Sequence, residues 1–186
     1  MGFINSILII VLILTPMESW IPANCPLNCT CSGGAETGLW VDCRGLIGPE
    51  DLLSKQLGAL LSSNVTQGRL TALTIVNTSL TQVPRSVCRL MTLKTLSLDS
   101  NRLAGLPDNC LTNLTRLNKL KAIRNNIAHL QDGLFDGLHR LRTVILRQNW
   151  IASIDPRVFT KSPSLSYIDL SSNLLRDLDK SWIYVV

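Results

Sequence analysis

The chain has 186 residues, about one domain's worth, of which 46% are hydrophobic and 17% charged. That apolar share excludes a chain too polar to build a core, and with aromatics at only 5% the core must come mostly from one aliphatic shape, leucine. The net charge of +5 favours acidic partners and says nothing about the fold.

The chain opens with an address. Residues 7–14 form an unbroken apolar run, too short for the roughly 20 residues that span a bilayer but suited to the h-region of a secretory leader. Ser19 and Ala23 offer small residues for cleavage, so residues 1–23 read as a signal peptide, although its n-region lacks Lys and Arg. With Glu18 removed alongside it, 18 basic residues face 12 acidic ones, a charge of +6. No second apolar stretch is long enough for a transmembrane helix. The expected location is therefore secreted, or on the extracellular face of the plasma membrane.

Six cysteines follow, and in an exported chain they read as disulfide chemistry. Cys25, Cys29, Cys31 and Cys43 crowd together, and a zinc site is the competing reading of such a cluster. Export also gives meaning to four Asn-x-Ser/Thr sequons, at Asn28, Asn64, Asn77 and Asn113, as glycosylation sites. Between the cluster and the next patterned region, Pro49-Glu50-Asp51 precedes Leu52, Leu53, Leu57, Leu60 and Leu61. Acids in a first turn after proline, with leucines on one stripe, suggest a short helical insert.

From Leu70 onward the chain repeats. Asn101, Asn125, Asn149 and Asn173 are spaced by 24 residues, each within one frame. Leu93, Leu96, Leu98, Leu103 and Leu106 surround the first. Leu117, Leu120, Ala122, Ile127 and Leu130 surround the second, and Leu141, Val144, Leu146, Ile151 and Ile154 the third. Leu165, Ile168, Leu170, Leu175 and Leu178 surround the last. An earlier 23-residue copy uses Leu70, Leu73, Ile75, Leu80 and Val83, with Thr78 in place of asparagine. The Leu-x-Leu alternation is a short strand with one inward face, and the Asn-x-Leu that follows breaks any helical period. One coil cannot bury its own apolar face, so coils must stack. The stacked asparagines would form a ladder that satisfies backbone groups at the turn. Phe135 and Phe159, with Leu111 in the same phase, would fill the space behind the strands. Leu114 and Leu138 would close the turn, with Ser162 a weaker substitute.

This frame resembles the leucine-rich-repeat family over residues 70–186, and the cysteine cluster, opening on Cys25-Pro26, resembles the cysteine-rich N-terminal cap of its extracellular members. The resemblance implies an α/β solenoid, mostly β: a horseshoe with short parallel strands on its concave face and an irregular or helical convex face. It implies a cap over residues 24–69, including the insert, followed by repeats at 70–92, 93–116, 117–140, 141–164 and 165–186, the last incomplete. It also pairs Cys25 with Cys31 and Cys29 with Cys43. Cys88 and Cys110 fall in nearly one phase of adjacent repeats, so they either bridge or sit as two free thiols in the core.

On such a scaffold the ligand meets the outward residues between the strand leucines. In the repeats at 117–140 and 141–164 these include five cations and no acid: Lys119, Lys121, Arg124, Arg142 and Arg147. Ile145 and Tyr167 lie among them, with Ile123 and Trp150 nearby. Like charges on neighbouring strands repel, so folding does not call for them. Apolar and aromatic groups ringed by arginine and lysine fit a binding hot spot. The expected partner is a protein or an acidic glycan, with no nucleic acid and no cofactor.

Catalysis has no support: His129 and His139 fall in loop phases, Asp132-Gly133 and Asp136-Gly137 are turn signals, and no metal cluster is evident. The function expected from the resemblance is ligand recognition, as the N-terminal part of a receptor ectodomain similar to those of Toll-like receptors. The alternative is a secreted matrix or adhesion protein similar to the small leucine-rich proteoglycans. The fifth repeat carries no cysteine cap, which marks it as a candidate partner or homodimer surface.

Overall fold

The computed structural model describes residues 25, 29–34, 37–45, 55, 58–59 and 69–176. The leader, Asn28, Asn64 and the chain after residue 176 lie outside them. So does the helical insert, apart from Lys55, Gly58 and Ala59, which are helical.

The first two strands form an antiparallel hairpin, β1 (Cys29–Gly34) and β2 (Gly38–Arg44). Strand β3 (Leu70–Val76) then pairs in parallel with β2, and each later coil adds one three-residue strand. These are β4 (Thr95–Ser97), β5 (Lys119–Lys121), β7 (Thr143–Ile145) and β9 (Tyr167–Asp169). Together they make a seven-stranded sheet in the order β1-β2-β3-β4-β5-β7-β9, parallel everywhere except at the front hairpin. On the opposite side, β6 (His129–Leu130) pairs with β8 (Ser153–Ile154). Among the described residues from 69 onward, helix is confined to the 3-10 turn Val87–Arg89 and the four-residue helix α1 (Asp108–Leu111). Among the described residues no helix is long and apolar enough to cross a membrane.

The core follows the repeat frame. Leu93, Leu96, Leu98, Leu117, Leu120, Ala122, Leu141, Val144 and Leu146 are completely buried, as are Leu70, Leu73 and Ile75 of the imperfect copy. Removing each of these leucines, isoleucines and valines from water is worth about 1.5–3 kcal/mol, so the stack is driven by this one stripe. Behind the sheet Phe135 and Phe159 stack with ring centroids 5.7 Å apart, and Leu111 is buried in their phase. Ser162, the weak substitute, is also buried, and its hydroxyl donates to the Phe135 carbonyl. It thus carries a bond from coil to coil that leucine could not.

The asparagines form the expected ladder. Asn149 Nδ2 donates to the carbonyls of Leu146 in its own coil and Ala122 in the preceding one, each at 2.8 Å. Its Oδ1 accepts the Ile127 N–H at 3.2 Å. Asn125 and Asn173 bridge in the same sense. At the front, Thr78 takes the asparagine position, and its hydroxyl and its N–H both donate to Asn101 Oδ1. Gly133 and Gly137 have φ of 78° and 75°, as their turns require.

All six cysteines are bridged: Cys25 to Cys31, Cys29 to Cys43, and Cys88 to Cys110. The zinc reading of the front cluster gives way to two disulfides. The open choice for Cys88 and Cys110 resolves to a bridge between adjacent coils, with Cα atoms 4.6 Å apart. The hairpin meets the first coil closely. Gly38 has φ of 84°, and a Cβ there would fall 2.5 Å from the Thr71 side chain, so this junction admits only glycine.

Candidate ligand-binding face

Parallel pairing without shifts beyond β2 turns the outward residues into columns that run across the sheet. One column is Trp40, Ala72, Thr95, Lys119, Thr143 and Tyr167. The next is Asp42, Thr74, Ser97, Lys121, Ile145 and Asp169. A third, at the ends of β2 and β3 and just past the later strands, is Arg44, Val76, Asp99, Ile123, Arg147 and Ser171. Beyond it Gly45, Asn77, Ser100, Arg124, Gln148 and Ser172 all have φ between 55° and 61°. From β4 onward this left-handed step ends each strand and turns the chain into the asparagine ladder.

The expected site residues are therefore neighbours. Lys119 lies level with Thr143 and Tyr167, and Lys121 with Ile145 and Asp169. Arg142 precedes β7, and its carbonyl accepts the N–H groups of Ser166 and Tyr167. Arg124, Arg142 and Arg147 are exposed, and Lys119, Lys121 and Ile145 are half-buried. Arg124 leans toward the later coils, its Nε donating to Gln148 Oε1 at 3.0 Å. Trp150 and Leu174 are exposed at one phase just past the ladder asparagines of adjacent coils.

Carboxylates from the flanking coils bound the cationic stripe on both sides. Asp99 reaches forward one coil to Lys121, with Oδ2 3.0 Å from Nζ. Its Oδ1 accepts the Ile123 N–H, and Oδ2 also takes the Ser97 hydroxyl. Lys121 is thus tethered, not free to swing out. On the other side, the Ser171 hydroxyl and N–H both donate to Asp169, and with Arg147 nearby they hold its carboxyl below the usual aspartate range, against its partial desolvation. The signal for both acids was in their columns, one coil from the cations.

The front of the same face holds residues that fall within the expected cap, 24–69. Strand β2 belongs to the concave sheet, and it brings Trp40, Asp42 and Arg44 onto the face. Arg44 donates to Asp42 within the strand, and Trp40 is 53% exposed, as is Tyr167 at the far end of its column. The alternation of Leu39, Val41 and Cys43, all buried, is the signal that could have found this strand. Elsewhere a groove of about 880 Å³ opens beside the Cys88–Cys110 bridge, between Arg85, Arg89 and Asn113. None of the concave cations lines it. His129 and His139 are both exposed, and His129 Nδ1 lies 2.6 Å from the Ser153 hydroxyl across the β6–β8 pair.

Comparison with known proteins agrees with this geometry. The leucine-rich-repeat family model matches residues 91–151 and 123–175. Among solved structures, a leucine-rich-repeat protein of Leptospira interrogans matches with a TM-score of 0.65 at 26% identity. The match covers 77% of this chain and 34% of that one, so this chain spans about a third of that protein's length. No curated protein matches the sequence.

Proposed function

We propose that this chain, a leucine-rich-repeat protein with a cysteine-bridged front hairpin, is an exported recognition module that holds a protein ligand against the back half of its concave sheet. Leucine-rich-repeat domains are protein-interaction modules and typically not enzymes, which supplies the coarse reading. The observation that carries the finer one is the cluster of Lys119, Arg124, Arg142 and Arg147 around half-buried Ile145 and exposed Tyr167. Exposed apolar groups within a basic ring lose water readily when a partner covers them, and the cations steer an acidic surface toward them. A protein suits this face better than a polyanionic glycan. A uniform run of sulfates or carboxylates would meet Asp99 and Asp169 at either side and leave Ile145 and Tyr167 unmatched.

Three disulfides and a leader-like N-terminus support export. Within that class we assign the chain to the recognition part of a receptor ectodomain. The matrix or adhesion alternative predicts retention on collagen or heparin.

The test is a panel of purified extracellular proteins probed with the intact exported chain and with Arg142→Glu and Arg147→Glu. Loss of the wild-type hits in both variants supports the site, and hits that persist unchanged end it. Lys121 is a poor probe, because glutamate there would face Asp99 and unsettle the fold.

A further inference from the structure

We infer that Asn77 carries an N-linked glycan that roofs the front half of the concave face, so that only the coils from Lys119 onward are open to a ligand. The four sequons all fall at or before Asn113, and the sequence from residue 114 to its last residue contains none. Of the two within the described residues, Asn113 lines the groove beside the Cys88–Cys110 bridge, away from the concave cations. Asn77 is different. It occupies the left-handed column at the strand exits, one place past Val76 of β3, and it is exposed.

Its neighbours leave room for a sugar. In the same column Gly45 precedes it and Ser100 follows it, the two being among the smallest side chains available. A Cβ built on Gly45 would meet nothing within 4 Å, so among the described residues nothing crowds Asn77 from that place in the column. Arg124, the next large side chain in the column, bends away toward Gln148. The backbone at Asn77 is held by its N–H donating to the Asp99 carbonyl, and no hydrogen bond among the described residues engages its side-chain amide.

The chemistry is group transfer in the export pathway, from a polyprenyl-pyrophosphate-linked oligosaccharide. Asn77 Nδ2 bonds to the anomeric carbon, and the bond from that carbon to the pyrophosphate oxygen breaks. The pyrophosphate leaves with the electron pair, and the amide gives up one proton. A glycan rooted beside Arg44 and Val76 stands at the exit of the front strands and keeps large partners off Trp40, near the entry of β2, by reaching back along that strand. The cations and Tyr167 stay uncovered.

This inference rests on the export argued above. It is tested on the intact chain secreted from a glycosylating eukaryotic host, by site-resolved mass spectrometry and hydroxyl-radical footprinting. Trp40 and Tyr167 are matched reporters, equally exposed at opposite ends of one column. The expected result is sugar on Asn77, with Trp40 oxidation several-fold slower than in the enzymatically deglycosylated protein and Tyr167 oxidation unchanged. Asn77→Gln should release Trp40 in the same way, and it fits the backbone because Gln148 holds this conformation already. Ser79→Gly removes the sequon by a second route, at a residue whose φ of 61° suits glycine. Sugar on Asn113 with Asn77 bare would overturn the inference and leave export standing. An occupied Asn77 with Trp40 oxidised at the deglycosylated rate would overturn the roof. A secreted chain with no sugar on any sequon would overturn the glycan and remove one support from export.

Discussion

Asp99 and Lys121 stand one coil apart and join across the sheet at 3.0 Å, with side chains only 15% and 31% exposed. The same carboxylate caps the Ile123 N–H at 2.8 Å, so one side chain both anchors a cation and closes a backbone donor in the next coil. Asp99→Ala should therefore destabilise the fold by about 1–3 kcal/mol, mostly by stranding that N–H. Asp99→Asn keeps an acceptor and should cost clearly less. Urea denaturation of both variants checks this, and equal losses would mean that the charge pair, not the N–H, dominates.

The ladder makes a second, larger prediction. Asn149 is buried and joins two adjacent coils, through Leu146 in its own and Ala122 and Ile127 in the preceding one. Asn149→Ala strands several buried groups at about 1–3 kcal/mol each, before any relaxation. A loss of several kcal/mol is expected in chemical denaturation. Asn173→Ala should cost less, because Asn173 is only half-buried and water can replace part of what is lost.

The Cys88–Cys110 bridge closes a loop of sequence separation 22 between adjacent coils. Constraining a loop of that size in the unfolded chain is worth about 3 kcal/mol. Replacing both cysteines by alanine should lower stability by that amount. Thiol titration of the denatured, unreduced protein should find no free thiol, and two would show that the bridge does not form.

Acid should weaken the contacts of Asp169 at the back of the face. The folded pKa of Asp169 is depressed, chiefly by the Ser171 hydroxyl and then by the Ser171 N–H. A depressed carboxylate pKa contributes stability that is fully present above the unfolded value and is lost as pH falls through the folded one. Ser171→Ala should raise the Asp169 pKa toward the ordinary range and narrow that acid-side loss. Carboxyl chemical shifts followed by NMR through the acid range test this, and an unmoved midpoint in the variant would refute the assignment.

Much of this protein was legible along the chain, because one coil equals one 24-residue period and neighbours in space are neighbours in phase. The period alone placed Leu96, Leu120 and Val144 inward, put Asn101, Asn125, Asn149 and Asn173 on one ladder, and gathered Lys119, Lys121, Arg142 and Arg147 on one face. Tertiary structure decided what phase cannot express. Strand β2 lacks the ladder asparagine and is separated from β3 by a long insert, so its alternation of Leu39, Val41 and Cys43 did not announce that Trp40 joins the concave face. Phase made Cys88 and Cys110 neighbours without saying whether their sulfurs meet, since bonding depends on how the coils aim two Cβ atoms. Nor did it show Asp99 reaching Lys121, because a side chain's reach to the next strand is set by rotamer and local burial, and neither has a period.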